Sequence, residues 1–401
     1  MRKLGWIAIG LVFLFGMLWW TVGSDWRRLI LSAPTNADVL FWRVDQRDAG
    51  FRMMDRVPFL IDAREIESAA TSDPLKVGPP LQLDFDLEAY MAQNRSAGIV
   101  VLQDGILRLE AYGLDFDATG RWTSFSVAKS VTSTLVGAAV KDGYIKSLED
   151  PVSNYIEGLK GSAYDQVSVE QLLTMSSGVA WNEDYEDPNS DVAKFNTHIA
   201  EDGLSNLVSY MRALPRAHQA GTVWNYSTGE TNMIGVLVRE ATGRNLSDYL
   251  AEKIWHPYGM QQDASWLLNA DGTEISGCCI QAATRDFARF GQFILEGAQI
   301  DGVSIVPEDW LEQATTTRLG IGREGAGYGY QWWTFDSGVY VAYGIFGQAI
   351  YIDPERRLVI ASNSSWKSAM GVRDGEESGQ EAFHAAIAQA FDREQAQAIN
   401  E

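Results

Sequence analysis

The sequence has few of the residues that usually build a disulfide framework or a metal site. Its 401 residues include two cysteines, which are adjacent at Cys278 and Cys279. Adjacent cysteines rarely form a disulfide because the bond is strained, so we expect no disulfide framework and infer no cellular compartment from cysteine content. We also expect no metal ion, no organic cofactor and no histidine-based triad. The four histidines show no ligand spacing: His198, His218, His256 and His384.

Positive charge is also scarce. The chain has 32 Lys and Arg residues against 53 Asp and Glu residues, which gives a formal net charge of −21. Proteins that bind nucleic acid present a basic face to the phosphate backbone. The charge balance therefore argues against nucleic-acid binding and otherwise predicts good solubility.

One long apolar run is present near the start of the sequence. Arg2 and Lys3 precede a nearly unbroken apolar stretch from Leu4 to Gly23. About 20 such residues can just span a bilayer, whereas the apolar part of a signal peptide is usually shorter. We predict an uncleaved signal anchor over residues 1–23 that contacts inner-membrane lipid and leaves the rest of the chain on the exported, periplasmic side. A signal peptide cleaved near Val22-Gly-Ser24 remains the alternative.

The order of the predicted elements indicates an α/β (α+β) fold. Two β-rich runs, Gly98–Gln103 and Ile106–Tyr112, flank Asp104-Gly105, a strong hairpin signal. Mostly helical patterns follow at about 144–290, and three further strand-like runs close the body: Val339–Tyr343, Gln348–Ile352 and Arg357–Ser362. We predict one antiparallel sheet from both chain ends, flanked by helices, with a mostly helical insertion. Residues 24–84 show no strong periodicity and are predicted to form an extended connector to a domain at 85–395.

A serine and a lysine stand three residues apart at the start of a predicted helix. Ser126 and Lys129 would lie on one face of that helix, about 5–6 Å apart at Cβ. A serine hydroxyl needs a neighbouring base to become a nucleophile, and a buried lysine with a lowered pKa can be that base. The pattern alone is weak, because a second copy occurs at Ser364-Ser-Trp-Lys367. No long helix is predicted to begin at that second copy.

A tyrosine-containing sequence farther along the chain supports a catalytic role for Ser126 and Lys129. Tyr226-Ser-Thr228 follows Ala-Gly-Thr-Val-Trp-Asn and precedes a predicted helix. It resembles the Tyr-x-Asn element of the serine penicillin-recognising enzymes, whose first motif is Ser-x-x-Lys. The resemblance covers about residues 85–395 and is to the branch of class C beta-lactamases and esterases. It implies the beta-lactamase/transpeptidase-like fold.

The resemblance also implies roles for individual residues. Ser126 resembles the acylated nucleophile, Lys129 its proton acceptor, and Tyr226 the general acid or base that serves the leaving group and the deacylating water. A tyrosine takes this role when nearby cations lower its pKa. The third motif of those enzymes is a Lys- or His-Thr-Gly sequence on an edge strand, and on the matching strand of this chain Gly344 is expected to contact substrate. The backbone N–H of Ile345 would complete an oxyanion hole with that of Ser126.

The third motif leaves one alternative open and differs from the usual pattern. An offset register would bring Gln348, rather than Ile345, to the substrate. Neither Lys nor His stands at the motif's first position, where a cation normally meets the beta-lactam carboxylate. This difference argues against efficient beta-lactamase activity.

A closer resemblance is to the 6-aminohexanoate-dimer hydrolases, which cleave a linear amide. It is carried by Gly344-Ile-x-Gly-Gln348 and by Glu183-Asp-Tyr185-x-Asp-Pro188. It implies that Tyr185 hydrogen-bonds the substrate amide. We therefore predict a serine hydrolase that acts on a small ester or linear amide through an acyl-enzyme. The alternative is a DD-peptidase or a class C beta-lactamase that acts on peptidoglycan or beta-lactams.

Overall fold

The two ends of the chain build one large sheet, as predicted. In the computed structural model, which describes residues 17, 19–35, 39–57, 61–201, 203–371 and 379–400, this sheet has nine strands in the order β10-β11-β12-β13-β14-β15-β3-β4-β2. Neighbouring strands are antiparallel except β2 and β4, which run parallel. The strands are β1 (Ala63–Ile66), β2 (Lys76–Val77), β3 (Ser96–Gln103), β4 (Ile106–Tyr112), β5 (Trp122–Thr123), β6 (Ala264–Leu267), β7 (Ile280–Ala282), β8 (Gln299–Ile300), β9 (Val303–Ser304), β10 (Leu319–Gly320), β11 (Ala326–Tyr328), β12 (Trp333–Phe335), β13 (Tyr340–Gly344), β14 (Gln348–Asp353) and β15 (Leu358–Ser364).

Helices cover both faces of this sheet. Residues on β3 alternate between two apolar clusters. Ile99 and Val101 pack with the C-terminal helix α12 (Gln380–Asn400), whereas Val100 and Leu102 join the larger core that contains α10 (Thr284–Leu295). Successive strand residues point to opposite faces, so a strand that is apolar throughout must be covered on both. The helices are α1 (Ser24–Leu31), α2 (Val44–Met53), α3 (Leu87–Asn94), α4 (Ala128–Lys141), α5 (Val169–Leu173), α6 (Asp191–Lys194), α7 (Asn206–Arg212), α8 (Thr228–Thr242), α9 (Leu246–Leu250), α10 (Thr284–Leu295), α11 (Trp310–Thr315) and α12 (Gln380–Asn400).

The segment predicted as an extended connector contains two helices, α1 and α2, so that prediction is wrong for its first half. Helix α2 packs behind the predicted nucleophile. The Phe51 ring lies 5.0 Å from that of Phe125 and 5.4 Å from that of Phe346, measured between centroids. The guanidinium of Arg47 lies over the Phe346 ring and donates to the carbonyl of Trp366. Contacts with distant residues, rather than local periodicity, stabilise this helix.

Most of the predicted membrane anchor, Leu4–Gly23, lies outside the described residues. Within the described part of the chain, no helix is both long enough and apolar enough to cross a membrane.

A second sheet supports the region between the helical insertion and the main sheet. It has four strands among the described residues, in the order β1-β6-β7-β5. The link that leads into β7 contains the two cysteines, Cys278 and Cys279, whose sulfur atoms lie in contact; a pair of adjacent residues closes no loop and forms no disulfide framework. Cys279 has a φ of 77°, a left-handed conformation that an L-residue rarely adopts and that sequence patterning does not show.

Candidate active site

Ser126 lies on a sharp turn that leads straight into helix α4. It is the middle residue of a short 3-10 turn, Phe125–Val127, and is 8% exposed. Phe125 has a φ of 42°, which costs about 1–2 kcal/mol in an L-residue. The packing of its ring against Phe51 and Phe346 offsets this cost. The turn lets the Ser126 side chain line a deep cleft at the start of the helix.

Lys129 lies on the first turn of α4 and is 1% exposed. Its Nζ donates to Thr228 Oγ1 at 2.9 Å and to the carbonyl oxygen of Gly277 at 2.8 Å. Burial lowers the pKa of the Lys129 amine to about 8, and the charge of Glu183 opposes this shift. A Cβ atom at Gly277 would come within 3.0 Å of Thr228, so a glycine permits this close approach.

Tyr226 joins Ser126 and Lys129 from a distant part of the chain. Lys129 Nζ lies 5.2 Å from the centre of the Tyr226 ring. The Trp333 ring stacks on the Tyr226 ring, with centroids 5.6 Å apart. Burial raises the pKa of the Tyr226 phenol and the charge of Glu183 raises it further, which a hydrogen bond with Ser126 only partly offsets. We expected cations to lower this pKa, but burial and the charge of Glu183 raise it. The phenol is therefore neutral at physiological pH.

The third-motif strand approaches the nucleophile through Gly344. A Cβ atom on Gly344 would lie 2.6 Å from the Ser124 carbonyl oxygen and 3.1 Å from the backbone nitrogen of Ser126, so only glycine fits there. Ile345 follows in the turn Ile345–Gly347, and both Gly344 and Ile345 line the cleft with Ser126.

Gln348 is not placed to bind a substrate, and the offset register is wrong. The Gln348 side chain is 1% exposed and lies behind the turn. Its Nε2 donates to the carbonyls of Ile345 and Ser364, and its Oε1 accepts from the Ser364 N–H. Gln348 pairs with Gly344 across the β13–β14 hairpin, so its backbone faces the neighbouring strand. Its amide therefore stabilises the turn that presents Ile345.

Glu183 belongs to the site, although sequence reasoning did not select it. Its carboxylate accepts hydrogen bonds from the Thr228 N–H at 2.9 Å, the Tyr185 hydroxyl at 2.7 Å, the Thr228 hydroxyl and the Trp181 indole. Tyr185 lines the cleft as predicted for a substrate-binding residue, but its hydroxyl donates to Glu183 in this structure. The one sequence signal was the position of Glu183 two residues before Tyr185.

The family of this chain follows from a comparison with known proteins. The model of the Beta-lactamase family matches residues 84–377, which span most of the chain and contain Ser126, Lys129, Tyr226 and Gly344. The chain belongs to the beta-lactamase family.

Individual members of the beta-lactamase family resemble this chain over most of its length. The 6-aminohexanoate-dimer hydrolase of Paenarthrobacter ureafaciens is 29% identical over 300 residues, which cover 70% of this chain and 75% of the hydrolase. A candidate 6-aminohexanoate-dimer hydrolase from Bacillus anthracis superposes with a TM-score of 0.77 at 21% identity and covers 90% of this chain and 98% of its own. A D-stereospecific amidohydrolase from Streptomyces shares the fold, with a TM-score of 0.54 at 19% identity over 76% of this chain and 98% of its own. This chain is a serine hydrolase of the beta-lactamase fold.

The cleft of this beta-lactamase-family protein has a volume of about 1160 Å³ and is lined by both aromatic and acidic side chains. Six aromatic side chains line it: Trp224, Tyr226, Trp333, Phe335, Tyr343 and Trp366. Acidic side chains dominate the charged lining: Glu183, Asp184, Glu186 and Glu381. Among the described lining residues Arg323 is the only base, and its guanidinium makes two hydrogen bonds to Glu381 at 2.7 and 2.8 Å. The charged lining is therefore net negative.

Proposed function

We propose that this protein hydrolyses small neutral esters or linear amides through an acyl-enzyme formed on Ser126. The observation that carries this proposal is the convergence of three side chains: Ser126 and Tyr226 line the cleft and share a hydrogen bond, and Lys129 Nζ lies 5.2 Å from the centre of the Tyr226 ring. The relative from Paenarthrobacter ureafaciens, named for hydrolysing a 6-aminohexanoate dimer, supports a linear amide as one substrate type.

Lys129 is the base in the acylation step. A neutral amine has two N–H bonds and one lone pair, and both N–H bonds are used by Thr228 and Gly277. The lone pair then remains to accept the Ser126 proton while Oγ attacks the substrate carbonyl carbon. With a pKa of about 8, roughly a tenth of the amine is neutral at pH 7. Backbone N–H groups of Ser126 and Ile345 stabilise the oxyanion that forms.

Tyr226 is the acid that completes acylation. Because its pKa is raised, the phenol holds its proton and donates it to the departing alkoxide or amine. The Lys129 ammonium then returns a proton to the Tyr226 phenolate, which restores the phenol and the neutral amine. In deacylation a water attacks the acyl carbon, and its proton passes to the Tyr226 oxygen while the phenol hydrogen passes to the neutral Lys129 amine. The ammonium then protonates Ser126 Oγ as the acid product leaves.

The first test is covalent labelling. We expect a fluorophosphonate probe to add to Ser126 once per chain, and a Ser126→Ala variant to lose both labelling and p-nitrophenyl ester turnover. Mass spectrometry of the intact protein and of its peptides measures both site and stoichiometry. Ser364→Ala is the matched control, because Ser364 begins the second Ser-x-x-Lys sequence but lies buried at the end of β15. Equal labelling of wild type and Ser126→Ala would contradict the proposal.

The second test concerns substrate charge. The net negative lining should repel a carboxylate, so kcat/KM for a penicillin-type beta-lactam is expected to be at least about a hundredfold below that for a neutral p-nitrophenyl ester. Glu381→Gln removes one negative charge from the lining and should narrow this difference in kcat/KM, whereas Glu252→Gln, which removes a surface partner of Arg244, should leave it unchanged. Added salt should also narrow the gap. Equal kcat/KM values for both substrates in the wild type would exclude the preference for neutral substrates.

A further inference from the structure

The carboxylate of Glu183 is held in place by four hydrogen-bond donors. Its Oε2 accepts from the backbone N–H of Thr228 at 2.9 Å and from the Trp181 indole, and its Oε1 accepts from the hydroxyls of Tyr185 and Thr228. Thr228 is the first residue of helix α8, where backbone N–H groups have no partner within the helix and favour a negative charge. These four hydrogen bonds therefore hold both oxygen atoms of the Glu183 carboxylate in place.

The Thr228 hydroxyl links this carboxylate to the catalytic lysine. A hydroxyl has one hydrogen, and that of Thr228 is donated to Glu183 Oε1, because a carboxylate can only accept. A lone pair of Thr228 Oγ1 is thereby directed at Lys129 Nζ, which donates to it at 2.9 Å. The Gly277 carbonyl accepts the second Nζ hydrogen at 2.8 Å. These two acceptors fix the rotation of the amine and hence the direction of its remaining lone pair.

Glu183 is also the charged group that acts on Lys129 most directly. The groups around the amine are the Tyr226 ring at 5.2 Å, the Thr228 hydroxyl from α8 and the Gly277 carbonyl from the link before β7. All three are uncharged, and Glu183 raises the pKa of Lys129 against the effect of burial. In a partly buried site such a charge has a larger effect than at the surface. The ammonium produced when Ser126 loses its proton is therefore stabilised by Glu183.

We propose that Glu183 is a positioning residue of the active site, which orients Lys129 through the Thr228 hydroxyl and stabilises the ammonium that Lys129 becomes during acylation. This role rests on the proposed function, in which Lys129 is the base. The Thr228 hydroxyl, held by the Glu183 carboxylate, is one of the acceptors that face the Lys129 amine.

The experiment compares the pH profiles of the wild type and Glu183→Gln. Glutamine keeps an oxygen for the Tyr185 and Thr228 hydroxyls but removes the charge. We expect the midpoint of kcat/KM for a neutral p-nitrophenyl ester, about pH 8 in the wild type, to fall by about one pH unit, because the ammonium loses its stabilising partner. The plateau value of kcat should fall about tenfold. Asp187→Asn removes the same charge from the same loop away from the cleft, and should leave the profile unchanged.

Thr228→Val tests the link without changing any charge. Thr228→Val should lower the plateau value of kcat about tenfold, whereas Thr228→Ser, which keeps the hydroxyl, should have the wild-type value. The double variant Glu183→Gln/Thr228→Val should have a plateau kcat only slightly below that of Thr228→Val alone. Losses that multiply in the double variant, or an unchanged pH midpoint in a folded Glu183→Gln, would overturn the role of Glu183. The proposed function fails separately, if the wild type shows no labelling of Ser126.

Discussion

Replacing Lys129 with methionine is expected to lower kcat for ester and amide hydrolysis by about 10³- to 10⁴-fold. The methionine side chain fills the same buried space and still leaves Ser126 on its turn, but it cannot accept the serine proton. The wild-type amine is 1% exposed and carries a desolvation cost that methionine avoids. The melting temperature should therefore stay the same or rise, which separates lost chemistry from lost folding.

The pH profile provides a second measure of the same prediction. The base must be neutral to act, so wild-type kcat/KM should rise as pH increases through about 8 and then level off. Below that value it should fall about tenfold for each pH unit. The residual activity of Lys129→Met should lack this rise. Lys160→Met, at an exposed lysine paired with Glu157, should match the wild type throughout. A Lys129→Met variant that keeps more than about a tenth of wild-type activity would exclude Lys129 as the base.

Sequence patterns predicted the parts of the fold that rest on local signals. Asp104 and Gly105 both adopt positive φ angles, which the Asp-Gly pair favours, and they connect β3 to β4 near one edge of the nine-stranded sheet. The closing strands β13, β14 and β15 appear within one or two residues of their predicted bounds. Helix α4 begins just after Ser126, as its apolar spacing indicated. These elements carry their own turn residues or periodicity.

Features that depend on contacts between distant residues were not predictable. Helix α2 is stabilised by Phe51 against Phe125 and Phe346, which lie far along the chain. Glu183 gains its role only because the start of α8 lies beside it, so no spacing pattern marks it. Gln348 was placed in the cleft because its motif position allowed two registers. The hairpin between β13 and β14, which turns at Ile345–Gly347, excludes the second register.

Tyr226→Phe is expected to separate substrates by the basicity of their leaving group. A departing amine needs a proton, so loss of the phenol should slow hydrolysis of a linear amide about 10³-fold. Acylation by a p-nitrophenyl ester should slow by about tenfold or less, because p-nitrophenolate leaves without protonation. The fold should survive, since phenylalanine keeps the ring that stacks on Trp333.

The same variant should also accumulate its acyl-enzyme. Deacylation requires the water to lose a proton to the Tyr226 and Lys129 pair, so Tyr226→Phe should release about one p-nitrophenol per active site rapidly and then turn over slowly. Stopped-flow absorbance measures this burst, and mass spectrometry should find the acyl group on Ser126. Tyr328→Phe is the matched control, because Tyr328 packs in the same aromatic cluster, 6.3 Å from Tyr226 between ring centroids, and lies outside the cleft lining. If Tyr226→Phe slowed the amide and the activated ester equally and showed no burst, the phenol would orient the site without transferring a proton, and Lys129 alone would have to serve both the nucleophile and the leaving group.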